Sequence, residues 1–321
     1  MKGLKNKYLK SILCLGVGAV VLSAAVFANY DNANGYEACK TSLKNMLYLD
    51  NFSLNTEISA SMDGQKLFAE KSNLKLAGGQ DVFYQISSTS ENLMNNSQSS
   101  YRTTSQDKVN IYEDNYSDGT TNKYMTPSYR DKNKVSVLDG DDMTAKFVNF
   151  AEVVADTMVG DLKNSFVLTS KDDNTRTYTI NLSAEQLPEI VTSGASLIFA
   201  DIKNDYDRSA SVNASSSMPE DQFFSNFLSG EKDPFIERGT LIVTLNNDDT
   251  LASLNGEIVL GGYDASNNQH NITLQLSGNA YDYGTTVIDR VDTSDAESSP
   301  SLKGETPYTY TEDGEAVYYT E

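Results

Sequence analysis

Along most of the chain, apolar and polar residues alternate. In residues 51–62, Phe52, Leu54, Ile58 and Met62 share one parity, with Thr56 and Ala60 between them. That is the period of a strand with one buried face. Asp63-Gly64 follows, a pair that favours a two-residue hairpin turn, and residues 65–77 read as the return strand. Gly78-Gly79 marks the next turn, and residues 81–90 read as a third strand. Segments 97–105 and 108–114 alternate with few apolar residues, which predicts strands with one face in water, or edge positions. Asp118-Gly119 punctuates again, and residues 116–141 read as loop with a short strand around Tyr124-Met125. Val167 and Thr169 lead to a turn at Asp172-Asp173-Asn174, from which Tyr178, Ile180 and Leu182 return. Three more strands are expected over 239–281, with Leu241, Val243 and Leu245, then Leu254, Ile258 and Leu260, then Ile272, Leu274 and Leu276 in alternation. Turns at 246–250 and 265–268 separate them.

Four stretches break this period. Tyr36, Cys39, Leu43, Met46 and Leu47 fall at helical spacing, a narrow stripe that must pack on something. Residues 147–166 form a broader helix, with Phe147, Phe150, Val154, Met158, Leu162 and Phe166 in register and Val148, Ala151, Val153, Ala155 and Val159 widening the face. Asp139, Asp141 and Asp142 precede it, suited to a helix N-terminus; no EF-hand spacing follows them. Ser183 and Gln186 make a capping box for a helix over 184–206, whose apolar side carries Leu187, Val191, Leu197 or Ile198, and Ile202. Pro219 opens a short helix with Phe223, Phe224, Phe227 and Leu228 on one side, after a Ser/Asn-rich loop at 207–218.

The N-terminus changes the picture of the compartment. Lys2, Lys5, Lys7 and Lys10 precede an uncharged run from Ser11 to Ala28 that ends Val26-Phe27-Ala28, the layout of a secretory signal. Cleavage after Ala28 or retention as an N-terminal anchor both leave the remaining chain exported. Cys14 lies in the apolar run behind the bulky Leu13 and reads as part of it. Cleavage leaves Cys39 alone, so the exported part holds itself together by its core rather than by a disulfide. A formal net charge of −20 repels phosphate backbones, which argues against nucleic-acid binding. From about residue 286 the chain is acidic, rich in Ser and Thr, and without period. The expected division is therefore 1–28 signal or anchor, 29–285 one domain, and 286–321 an acidic disordered tail.

The chain offers little catalytic chemistry. His270 is the only histidine and stands at the start of an expected strand. There is no G-x-S-x-G, C-x-x-C or H-E-x-x-H, so no nucleophile elbow or zinc site is expected. Gly16-Val17-Gly18 lies inside the signal. Paired carboxylates are available, but no spacing singles out a pair. A non-enzyme without cofactor or metal is expected.

A helix, a run of antiparallel strands, two long apolar helices around a hairpin, and a closing meander predict an α+β fold: a curved antiparallel sheet with helices packed on its concave face. The order Tyr36-Glu37-Ala38-Cys39-Lys40-Thr41-Ser42-Leu43-Lys44-Asn45-Met46-Leu47, then Phe52–Ile58 and the Asp63-Gly64 turn, with closing strands at 239–281, resembles the LolA-like lipoprotein-carrier half-barrel superfamily. Residues 159–164 and their surroundings also resemble exported proteins of Gram-positive bacteria. The half-barrel resemblance implies a binding protein with no catalytic residues. It would hold a lipid or other hydrophobic ligand, or a lipid-modified partner, between sheet and helices. Its candidate ligand-facing residues are Phe147, Phe150, Val154, Met158, Leu162, Leu187, Val191 and Ile198, which serve a closed core equally well. The other reading is a structural or signalling envelope protein that meets a protein partner through its acidic surface or tail. The membrane is touched only if the N-terminal segment is retained.

Overall fold

The computed structural model describes residues 33–93, 96–116, 118–128, 132–133, 135–136, 167–187, 230, 232–294, 296–298, 308–310 and 316–318. The stretch 147–166 and most of 184–206 lie outside these residues, as does the expected short helix after Pro219.

Helix α1 (Ala33–Tyr48) is followed by strands β1 (Asn51–Met62), β2 (Gln65–Ala77), β3 (Val82–Asn92), β4 (Ser97–Gln106), β5 (Val109–Tyr116) and β6 (Thr121–Pro127). Then come β7 (Val167–Lys171), β8 (Thr175–Ser183), β9 (Phe235–Asn246), β10 (Leu251–Tyr263) and β11 (Gln269–Tyr281). Eleven antiparallel strands form one sheet in the order β6-β5-β4-β3-β2-β1-β11-β10-β9-β8-β7. A two-residue β12 (Glu297–Ser298) pairs parallel with β6, and β13 (Tyr308–Tyr310) pairs with β14 (Ala316–Tyr318) apart from the sheet. Two meanders, β1–β6 and β7–β11, are thus joined at their chain ends by the β1–β11 pair. The sheet is open: β7 is exposed along its length, and among the described residues the outer edge of β6 is flanked only by the two-residue β12.

The expected alternation fixes this register. Asp63 and Gly64 take φ of 48° and 83°, the left-handed pair that a two-residue turn needs to match strand twist. Leu67 is an extra residue opposite the Ala60–Ser61 step of β1, a bulge that leaves both Leu67 and Phe68 buried. The weakly apolar β4 and β5 lie toward one end of the sheet, where little apolar burial is needed.

Among the described residues α1 is the only helix longer than one turn. Tyr36 and Cys39 are fully buried in the main core with Leu241, Val243, Ile258 and Ile272, and Leu43 and Met46 pack beside them. The helix expected from Ala184 begins differently. Ser183 and Gln186 do form the capping box, but around a single 3-10 turn (Ala184–Gln186), and Leu187 then takes extended backbone. Pro188 follows, and the ring of a proline drives the residue before it out of helical geometry.

Composition assigned everything from 286 onward to a tail, yet Thr286–Asp292 crosses the sheet end in contact. Ser53 Oγ lies 3.0 Å from Thr286 Oγ1, and Gln80 Nε2 donates to Thr286 O at 3.1 Å. Gln106 and Val291 exchange two hydrogen bonds, at 2.9 and 2.8 Å. Ile288 is buried against Ala77 and Val82. Polarity along this segment is spent on hydrogen bonds to the sheet, which a composition argument does not register.

Candidate functional site

Strand register sorts side chains into rows across the face that carries α1. One row runs Ile180–Leu241–Gly256–Leu276–Ile58 and continues Glu70–Ser90–Ser99–Tyr116. The next runs Tyr178–Val243–Leu254–Gly278–Thr56 and continues Ser72–Ser88–Tyr101–Asp114–Asn122. Both rows change character at the β1–β2 boundary. From β8 to β1 they are largely aliphatic. From β2 to β6 they carry hydroxyls, phenols and carboxylates. Ile58, Leu54 and Leu276, beside the boundary, are only partly buried.

Glu70 marks the start of the polar half. Its carboxylate accepts from Ser88 Oγ at 2.8 Å, from Ser90 Oγ at 3.2 Å and more distantly from Ser72 Oγ at 3.4 Å. Ser72 Oγ also donates to Ser88 Oγ at 3.0 Å. Burial, and then the Glu70 charge, raise the Tyr101 phenol above its usual ionisation range, against a hydrogen bond with Ser88. Tyr112 and Tyr124, directly opposed on β5 and β6, stack with centroids 4.9 Å apart at 13°. Burial, and then Asp114, raise Tyr124 in the same way. Tyr84 shares this parity on β3.

Charge is divided between the two sides of this half. Lys66, Lys71, Lys75, Arg102 and Lys123, all the cations of β1–β6, alternate onto the opposite face. There Lys71 lies 3.7 Å from Glu57 and Arg102 pairs with Glu113. Glu70 and Asp114 are the charged residues of β1–β6 on the helix side. The opposite face holds depressions of about 330 Å³ and 500 Å³ near Glu57 and Ser277, but their polar groups bond one another: Asn73 donates to Asn55 at 2.6 Å and Gln275 to Glu257 at 3.1 Å.

Cys39, Tyr283 and His270 serve the fold. Cys39 is the buried thiol that its stripe predicts; burial pushes its pKa up to about 12, against the attraction of Arg176. Tyr283 donates to Leu251 O at 2.6 Å and stacks on Phe52. His270 clasps two hairpin tips, with Nδ1 2.7 Å from Asp63 and Nε2 3.5 Å from Asp264. The hydrogen bond to Asp63 raises the imidazole above its ordinary value against a smaller effect of burial. Burial pushes Asp63 up, but His270 and the Asn271 N–H outweigh it and lower the carboxyl. Among the described residues no cluster of three or more His, Cys, Asp or Glu is placed to hold a metal ion.

Of the ligand-facing residues expected from sequence, Phe147, Phe150, Val154, Met158, Leu162, Val191 and Ile198 lie outside the described residues. Leu187 is described: it packs, partly buried, against the main core. Glu70, Ser88, Tyr101 and Asp114 were not singled out by sequence. Their signal is a parity that becomes visible only when neighbouring strands are aligned. No family model matches this chain, and no curated protein matches it. Among the described residues no helix is long and apolar enough to cross a membrane.

Proposed function

We propose that this chain is an exported, non-enzymatic binding protein of the cell envelope, built as a half-barrel of the LolA-like kind. Its helix-side sheet face holds an apolar or amphiphilic ligand. The observation that carries this reading is the row Leu276–Ile58–Glu70–Ser90, where partly buried aliphatic side chains meet a hydroxyl-ringed carboxylate on one continuous surface. Binding surfaces for small molecules combine much apolar lining with a few placed polar groups, and an amphiphile offers the same two halves. The chemistry at hand supports binding rather than turnover. The one histidine is engaged by Asp63 and Asp264 at hairpin tips, and the one described thiol is buried and protonated.

The test is displacement of a fluorescent lipid from the exported chain, isolated as cells process it. Saturable displacement by unlabelled amphiphile is expected, with loss of binding on Ile58→Asp. Absence of binding, with cross-linking in cells recovering a protein partner instead, would replace this reading with that of an envelope interaction protein.

A further inference from the structure

The polar half of the face has a definite chemistry, and it points to one class of headgroup. Five tyrosines (Tyr84, Tyr101, Tyr112, Tyr116 and Tyr124) lie on the helix side of β3–β6, as do Glu70 and Asp114. Every Lys and Arg of β1–β6 lies on the other side. Strand alternation does not require this. A solvated face ordinarily mixes the two signs, as the opposite side does with Glu57 and Lys71 or Arg102 and Glu113. The stacked Tyr112–Tyr124 pair stands one row from Asp114, and Tyr101 lies between Ser88 and Asp114. Phenol rings beside carboxylates attract a cation twice, through the ring quadrupole and through direct charge. Ser72, Ser88 and Ser90 hold the Glu70 carboxylate without neutralising it, since hydroxyl donors carry no net charge.

We propose that the β2–β6 part of the helix-side face is a subsite for an ammonium-type cation, the headgroup of an amphiphile whose tail lies on the partly buried aliphatic side chains beside the boundary, Leu54, Ile58 and Leu276. This rests on the carrier reading above and adds the sign and kind of the headgroup. Phosphate or sulfate in the same place would face Glu70 and Asp114 with no strand-borne cation beside it, so anionic amphiphiles are disfavoured.

The experiment compares three amphiphiles of one chain length on the exported full chain, below micelle formation: an alkyl trimethylammonium, an alkyl sulfate and an alkyl maltoside. Affinity is read by calorimetry. The trimethylammonium compound should bind tighter than the maltoside by about tenfold, and the sulfate weakest. Glu70→Gln and Asp114→Asn should each reduce that preference. Glu91→Gln controls for the acidic surface, because it removes the same charge from the opposite side of β3 and should change nothing. Equal binding of all three compounds, or equal losses in Glu70→Gln and Glu91→Gln, would overturn the headgroup assignment and leave the carrier reading standing. Failure of all three to bind would remove the carrier reading itself. Tetramethylammonium binding as tightly as the long-chain compound would overturn the amphiphile. Thermal melts of each variant establish that it folds.

Discussion

The two meanders of this sheet have the same strand geometry and opposite chemistry. In β8–β11, with β1, every second residue toward the helix is mostly aliphatic, and Leu241, Val243, Leu245, Ile258 and Ile272 are almost wholly buried beneath or beside α1. In β2–β6 the corresponding positions hold Glu70, Ser88, Ser90, Tyr101 and Asp114, and Tyr101 and Tyr116 remain exposed. The backbone hydrogen bonds of the two halves are equivalent. What differs is what their side chains contribute, burial in one and a field with hydrogen-bonding groups in the other. A sheet can therefore be anchored at one end and left available at the other without a change of fold.

The sharpest way to break this comparison is to truncate both halves. Leu241→Ala should cost about 3 kcal/mol of stability, from lost burial and the cavity left behind. Tyr116→Ala, at a half-exposed position, should cost less than about 1 kcal/mol. Urea unfolding of the two variants measures both, and comparable losses would mean the polar half is as much core as the aliphatic one. Next in size is the seam. Tyr283 packs against both main apolar clusters, and Tyr283→Phe removes its bond to the Leu251 carbonyl at a cost of about 1 kcal/mol. An unchanged denaturation midpoint would show that packing alone ties the halves there.

A smaller effect belongs to the hairpin tips of the anchored half. The His270 imidazole has a raised pKa, so its contribution is complete below the ordinary histidine value and is lost as pH rises through the raised one. Asp63 is lowered, so its contribution is present above the ordinary carboxyl value and is lost as pH falls through the lowered one. The clasp is therefore strongest between the two ranges. The melting temperature should decline as pH rises through the histidine range, and His270→Gln should flatten that decline; the same slope in both proteins would exclude the clasp as its source. The smallest effect lies in the polar half. Glu70→Gln should return the Tyr101 phenol toward its ordinary range while Tyr124, governed by burial and Asp114, stays put. Ring-labelled tyrosine NMR over an alkaline titration separates the two, and parallel shifts would mean the carboxylates do not act locally.

Much of the sheet was legible because a strand declares itself in two adjacent facts, parity and turn chemistry. Asp63-Gly64 placed the first hairpin, and the positive φ at both residues shows why that pair was needed. Leu241, Val243 and Leu245 announced the buried face that they occupy. The same local logic failed at Leu187. The capping box was real, but a capping box signals only where a helix begins, and Pro188 holds the residue before it, Leu187, out of helical geometry. It failed again after residue 285, where Thr286 and Val291 bond to Asn51, Ser53 and Gln106, partners more than a hundred residues away.

By itself the sequence determined strand period, hairpin positions, the buried helix stripe with Cys39, and the acidic charge, since each depends on neighbours along the chain. Only the tertiary structure decided that β1 pairs with β11, that the strands form one open sheet, and that Glu70, Ser88, Tyr101 and Asp114 share a side that carries none of the lysines and arginines of β1–β6. Those facts depend on which strands lie side by side. Antiparallel pairing brings distant residues within a few ångströms through backbone hydrogen bonds that every residue type but proline can make, so the choice of a distant partner strand leaves no mark on any single stretch of the chain.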